Sequence, residues 1–227
     1  MPGSHSQQIN EIVGLMIFLK PMSILDVGVG FGKYGVLARE YLDLWEGEGK
    51  NREAYCQWQR RVDGVEAYAG YLTPLHDFIY NKIYVGEAAS VLPTITHKYD
   101  LVLLIDVIEH LNHDRGLELL RELERVGRNV LISTPNRVGH QTALYGNEFE
   151  NHVSQWTEKH FRVFAPCVFI PNEASLICFV GDDLGPVQAF LRQQNKNLWK
   201  KSLKSVFPTL ARLHAQLKKI VRHKEKQ

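Results

Sequence analysis

Four carboxylates in this sequence stand where acids do chemistry rather than solvate a surface. Asp26, Glu66 and Asp106 lie at or near the ends of short apolar runs, and Glu87 follows another after Gly86. A carboxylate offers two oxygens, enough to accept from both hydroxyls of a vicinal diol or to hold an ammonium group. Gly28, Gly30 and Gly32 follow Asp26 directly and alternate along ILDVGVGFGKYG. Such glycines allow positive φ and let a ligand approach bare backbone. Two histidines, His110 in DVIEHL and His152 in NHVSQWT, have side chains that ionise near neutral pH and so suit proton transfer.

The glycine turn is compatible with two cofactors. GFGKYG, from Gly30 to Gly35, satisfies the dinucleotide pattern G-x-G-x-x-G, with Glu66 placed to hold a ribose diol. Glu66 follows Gly30 by 36 residues where roughly 20 is usual, and an insertion over Trp45–Gln59 accounts for the surplus. The pattern by itself fits NAD as readily as a sulfonium donor.

The elements that must carry these residues follow from periodicity. Ile9, Ile12, Val13, Met16 and Ile17 place an amphipathic helix over Gln7–Leu19, ending before Pro21. Strands are expected at Ser23–Val27, Arg61–Glu66, Lys82–Val85, Tyr99–Asp106 and Asn129–Ser133, the fourth apolar enough to be buried on both faces. Helices are expected between them at Lys33–Leu44, Ala69–Tyr80 and from Asp114, taken as the cap of a stripe of Leu117, Leu120, Leu123 and Val126. A short helix at Thr157–Arg162 precedes strands at Val163–Ile170 and Ser175–Val180, close enough to form a hairpin. Alternating strands and helices imply an α/β, doubly wound, mostly parallel seven-stranded sheet closed by an antiparallel terminal hairpin.

Composition sets the class. With 44% hydrophobic and 23% charged residues over 227 positions, the chain reads as a soluble globular protein, and its apolar runs are too short to span a bilayer. Three scattered cysteines give no disulfide framework, so a reducing compartment and a cytoplasmic location are expected. From Val187 onward there are 11 Lys and Arg and one acid, Glu225, against 16 basic and 24 acidic residues before it. We therefore divide the chain into a catalytic-type domain, 1–186, and a basic helical extension, 187–227, with two helices around Pro208. The extension could pack on the acidic body, lie on an anionic membrane surface or meet nucleic acid. Its aromatic content is sparse, Phe190, Trp199 and Phe207, which argues against the last.

Taken together, DVGVGFG at Asp26–Gly32, Glu66, Gly86-Glu87-Ala88, YDLVLLIDVIEHL at Tyr99–Leu111, the helix from Asp114 and LISTPN at Leu131–Asn136 resemble the class I S-adenosylmethionine-dependent methyltransferases. The run DVIEHL followed by TPN is similar to the small-molecule (type 11/23-like) branch. The resemblance covers Ile9 to Gly181 and implies a Rossmann-like methyltransferase fold. It also implies S-adenosylmethionine as cofactor and S-adenosylhomocysteine as product. On that reading Gly28, Gly30 and Gly32 receive the methionine portion and ribose, and Asp26 orients the turn and the cofactor's ammonium. Glu66 takes the ribose hydroxyls, Glu87 the adenine amino group with Ala88 beside the ring, and Asp106 faces the methionine end and the acceptor. Each acid could instead merely cap a neighbouring helix.

The implied reaction is methyl transfer to a small-molecule or saccharide acceptor, at oxygen in preference to nitrogen. A hydroxyl acceptor needs a base, for which His110 and His152 are the candidates, with His140 and His113 behind them. The rival description is a cofactor-binding scaffold without catalysis. Glu109, His110, His113 and Asp114 match no metal-ligand spacing, and no metal is expected. The acceptor pocket is expected around His110, Asn136, His152 and Trp156.

Overall fold

The structure, a computed structural model, describes residues 3–45, 57–143 and 146–206, with backbone alone over 197–206. It divides into two units, Met1–Leu184 and Gly185–Gln227.

The first unit is built on seven strands: β1 (Ser23–Val27), β2 (Arg61–Glu66), β3 (Lys82–Val85), β4 (Leu101–Ile105), β5 (Asn129–Pro135), β6 (Cys167–Ile170) and β7 (Ser175–Gly181). Their order is β3-β2-β1-β4-β5-β7-β6, with β1 to β5 parallel and β7 antiparallel to both its neighbours. The sheet is thus the expected Rossmann-like one with an antiparallel hairpin at its end. Strands β1 and β4 are adjacent although β2, β3 and their helices intervene, so the direction of winding reverses between them. Crevices at such reversals, at the carboxyl ends of the strands, are where α/β sheets bind ligands.

Helices cover the faces: α1 (Ile9–Leu19), α2 (Lys33–Ala38), α3 (Pro74–Ile79), α4 (Ala88–Val91), α5 (His113–Val126) and α6 (Glu158–Phe164). Leu119, Leu120, Leu123 and Val126 of α5 are buried against Val102, Leu104, Val130 and Ile132 of the sheet. Among the described residues no helix is long and apolar enough to cross a membrane. Cys167 and Cys178 are free thiols.

Several boundaries differ from the sequence reading for local reasons. The expected helix Lys33–Leu44 is α for one turn and a half, then widens into a π-helical segment over Arg39–Leu44. Arg39 is 2% exposed there, and its guanidinium bonds to the Ile79 carbonyl (2.8 Å), the Arg60 carbonyl (2.7 Å), Asn81 (2.7 Å) and Asp43 (3.0 Å). The guanidinium of Arg60 in turn reaches the Pro21 carbonyl (3.0 Å), the Leu42 carbonyl and Asp43. Ala69–Tyr80 is not one helix: a short turn at Ala69–Tyr71 is separated from α3, which starts at Pro74 after Thr73, because proline fits the first helical turn and not the interior. Asn112, not Asp114, caps α5, its side chain accepting the Arg115 N–H at 3.0 Å. Val163 and Phe164 belong to α6 rather than to a strand, with Val163 turned to solvent.

The second unit carries α7 (Leu184–Val206), which begins three residues before the expected basic extension. Pro208, the stripe Leu210–Val221 beyond it, and most of the Trp45–Gln59 insertion lie outside the described residues.

Candidate functional site

At the carboxyl ends of β1, β2, β4 and β5 the chain encloses a cavity of about 760 Å³. The turn after β1 forms its floor. Gly28, Gly30 and Gly32 all have positive φ, at 84°, 53° and 79°, which side-chain-bearing residues adopt only under strain. A β-carbon on Gly28 would also overlap the Val107 side chain, so the glycine serves the turn's own packing as well as any ligand. Gly28 and Gly30 line the cavity; Gly32 and Asp26 do not.

Asp26 instead lies beneath the turn, 2% exposed, where its carboxyl accepts the Tyr80 hydroxyl at 2.6 Å. Burial pushes its pKa up to about 7, the Tyr80 bond opposing and the nearby Glu66 charge adding to the rise. Asp26 is thus bonded to Tyr80 below the turn and stands outside the cavity lining.

Glu66 ends β2 and lines the cavity. One oxygen accepts the Gly30 N–H and the other the Tyr68 N–H, both at 2.9 Å. Burial raises its pKa and those two N–H bonds oppose the rise. A carboxylate has about four lone-pair positions, so each oxygen keeps room for a ligand hydroxyl. Glu87 is the residue before α4, exposed at the cavity wall; its carbonyl accepts the N–H groups of Ser90 (2.9 Å) and Val91 (3.0 Å), its carboxylate makes no bond to the helix end, and Ala88 sits beside it. The carboxylate of Glu87 is therefore not a cap of α4.

Asp106 follows β4 with φ of 53°, a left-handed conformation unusual outside glycine and frequent at functional sites. Its carboxylate is already engaged: Oδ2 accepts the His5 N–H (3.1 Å) and the Gln8 side-chain amide (2.7 Å), and Oδ1 accepts from Ser133 (3.2 Å). The segment Gly3–Ser6 thus lies along the cavity, a contribution that periodicity in α1 does not signal.

The same cavity holds both candidate bases. His110 and His152 have ring centroids 5.0 Å apart and both line the cavity. Nδ1 of His110 bonds to the Asn151 carbonyl (3.1 Å) and Nδ1 of His152 to the Gly139 carbonyl (2.7 Å). A carbonyl partner requires each Nδ1 to carry the proton, which leaves the Nε2 lone pair available. Burial lowers the pKa of His110, opposed by its Asn151 bond. Glu109, overlooked as a pocket residue from sequence, joins them: 1% exposed, bonded to the Thr134 hydroxyl at 3.0 Å, with its pKa pushed up to about 8 by burial and then by Asp106.

The loop carrying His152 is sewn to the turn carrying His110. The Glu109 carbonyl accepts the N–H groups of Val153 (2.9 Å) and Ser154 (3.1 Å), and the Ser154 hydroxyl donates to the Leu111 carbonyl (2.6 Å). Trp156 anchors the loop, and it is core rather than pocket wall: it is 1% exposed and absent from the cavity lining. Asn136 is likewise elsewhere, exposed and bonded to the Asn172 and Glu173 carbonyls. His113 packs on His160 and Trp156, and His140 is exposed, so neither joins the corner. Tyr71, Gln141 and Glu150 complete the wall, with the Tyr71 hydroxyl on Glu150 at 2.9 Å and the Gln141 amide on the Glu150 carbonyl at 2.8 Å.

No family model and no curated relative matches the sequence. Solved structures do. An O-methyltransferase family protein from Burkholderia thailandensis superposes with a TM-score of 0.54 at 12% identity, over 78% of this chain and 56% of that one. The magnesium protoporphyrin IX methyltransferase of Synechocystis PCC 6803, with bound S-adenosylhomocysteine, gives 0.51 at 14% identity, over 76% and 81%. The methyltransferase domain of a bacterial Hen1 protein gives 0.50 at 18% identity, over 76% and 96%. This chain spans little more than half the length of the Burkholderia protein. The fold is that of the class I S-adenosylmethionine-dependent methyltransferases.

Proposed function

We propose that this protein transfers a methyl group from S-adenosylmethionine to a hydroxyl of a small-molecule or saccharide acceptor. The observation that carries the reading is that one cavity joins two sets of residues. Gly28, Gly30, Glu66, Glu87, Ala88 and Asp106 line it, and so do His110 and His152, with Glu109. The first set suits a nucleoside: bare backbone for the ribose and methionine portion, Glu66 for the ribose hydroxyls and Glu87 for the adenine amino group. Solved structures of this fold hold the demethylated product, which supports the sulfonium donor over NAD.

The chemistry asks for position more than for covalent help. The acceptor oxygen attacks the methyl carbon in line with sulfur, the carbon–sulfur bond breaks, and its electron pair stays on sulfur as a neutral thioether. Holding acceptor and donor at attack distance supplies much of the acceleration. The hydroxyl proton must leave as the new bond forms, and the imidazole corner is the basic side of the pocket.

Calorimetry with S-adenosylmethionine and S-adenosylhomocysteine, followed by donor consumption over a panel of hydroxylated acceptors, tests the reading. Saturable binding of both and turnover on at least one acceptor class are expected. His152→Ala should lower that turnover by roughly 100-fold. Binding without turnover on any acceptor would leave a cofactor-binding scaffold, and no binding would remove the donor assignment.

A further inference from the structure

We propose that Glu109, His110 and His152 form a site for one divalent first-row transition cation, positioned at the acceptor end of the cavity. A ligand atom from each of the three lies within 4.8 Å of the other two. They come from two segments far apart in sequence, the turn after β4 and the loop before α6, brought together by the Val153 and Ser154 bonds to the Glu109 carbonyl. This is why the local spacing of Glu109, His110, His113 and Asp114 shows no pattern: the third ligand is 42 residues downstream of His110, and His113 and Asp114 take no part.

The surroundings of the three are those of ligands. A metal-binding histidine generally gives its other ring N–H to a carbonyl or carboxylate, which fixes the tautomer and the ring plane. Both imidazoles do so, through Asn151 and Gly139. Glu109 is oriented by Thr134 in the same way. Two imidazoles and one carboxylate favour Mn²⁺, Fe²⁺ or Zn²⁺ over Ca²⁺ and Mg²⁺, which prefer all-oxygen sets. Three protein ligands also leave coordination positions for an outside oxygen, as in catalytic rather than structural sites. Within the reaction proposed above, on which this consequence rests, the acceptor hydroxyl would be that oxygen. The imidazoles then hold the cation instead of acting as bases, and the hydroxyl proton passes to water at the mouth of the cavity.

Mn²⁺ added to the purified full chain and followed by electron paramagnetic resonance tests the site. One saturable site per chain is expected, with nitrogen modulation from two imidazoles falling to one in His152→Ala. Affinity should fall at least tenfold in His152→Ala and in Glu109→Gln. Far-UV circular dichroism and S-adenosylhomocysteine calorimetry on the same samples show that each variant is folded. Absence of saturable binding, or binding unchanged in both folded variants, overturns the site. Because the nucleoside is measured separately, its binding without Mn²⁺ binding removes only the cation site. Mn²⁺ binding without nucleoside binding removes only the methyl-transfer reading.

Discussion

The Trp156 indole N–H reaches the Ile108 carbonyl at 3.1 Å from a fully buried position, and it shares that proton with the Ser154 hydroxyl at 2.9 Å. Ile108 precedes Glu109 and His110 directly, so one buried side chain fixes the distance between the two segments that carry the histidine corner. Opposite the ring, Gly116 of α5 has no room for a β-carbon.

Trp156→Phe keeps most of the apolar volume and leaves the Ile108 carbonyl without this donor. That carbonyl keeps the Leu111 N–H at 3.1 Å, so one of its two bonds is lost, a net cost of about 0.5–1.5 kcal/mol, and urea unfolding should show a loss of that size. Trp156→Ala should cost about 3–5 kcal/mol. A change below 0.5 kcal/mol in both would show that the anchor is not structural.

Asp26 predicts a pH dependence of stability. Its folded-state pKa of about 7 lies above the ordinary carboxylate value of 3.8, so the folded chain holds a proton that the unfolded chain releases. The associated stability is fully present below pH 3.8 and is lost as pH rises through about 7. Between pH 5 and pH 8 the unfolding free energy should decline by roughly 2–4 kcal/mol from this group. Asp26→Asn, which keeps an oxygen for the Tyr80 hydroxyl, should flatten that decline. An unchanged profile in the variant would contradict the assignment.

Glu66 joins the turn to the ribose in the proposed complex. Glu66→Gln retains one acceptor oxygen of two and loses the charge. Hydrogen bonds to charged groups are worth about 1.5–3 kcal/mol, so affinity for S-adenosylhomocysteine should fall by roughly 10- to 100-fold in calorimetry. An analogue lacking the ribose hydroxyls separates the causes: wild type should bind it weakly, and the variant should discriminate little against it. Equal discrimination in both would place the ribose elsewhere.

Gly28→Ala adds a β-carbon at φ of 84° against Val107. A strained backbone of this kind costs on the order of 1–3 kcal/mol, and thermal unfolding should show it as a lowered midpoint together with weakened nucleoside binding. Gly28→Ala combined with Val107→Ala should recover part of the packing loss but not the strain.

How much of this was readable from the sequence follows the range of the interactions concerned. β1, β2 and β3 begin and end where the sequence places them, because a short run with β-branched and apolar residues is recorded locally, whether the strand is buried like β1 or a half-exposed edge like β3. Val163 and Phe164 read as strand by type. Yet Thr157 and His160 exchange side-chain and backbone bonds that start a helix, and Phe161 turns its ring into the core, which carries the next two residues along with it. The glycine turn and Glu66 are legible because they belong to strand ends. The partnership of Glu109 with His152 is not, because it depends on a loop whose course is set by a tryptophan beneath another helix. NHVSQWT contains both the ligand and the anchor, and a histidine four residues before a buried tryptophan is the trace that the sequence leaves of it.

The two arginines at the start and end of the Trp45–Gln59 stretch carry a consequence for how this fold can change. Arg39 and Arg60 tie the chain down on either side of residues 46–56, to Ile79, Asn81, Pro21 and each other's neighbourhood. Both anchor points lie at the amino ends of β2 and β3, the far side of the sheet from the cavity. Loss of either guanidinium should therefore loosen that rim of the sheet before it disturbs the strand ends that carry Gly28 and Glu66.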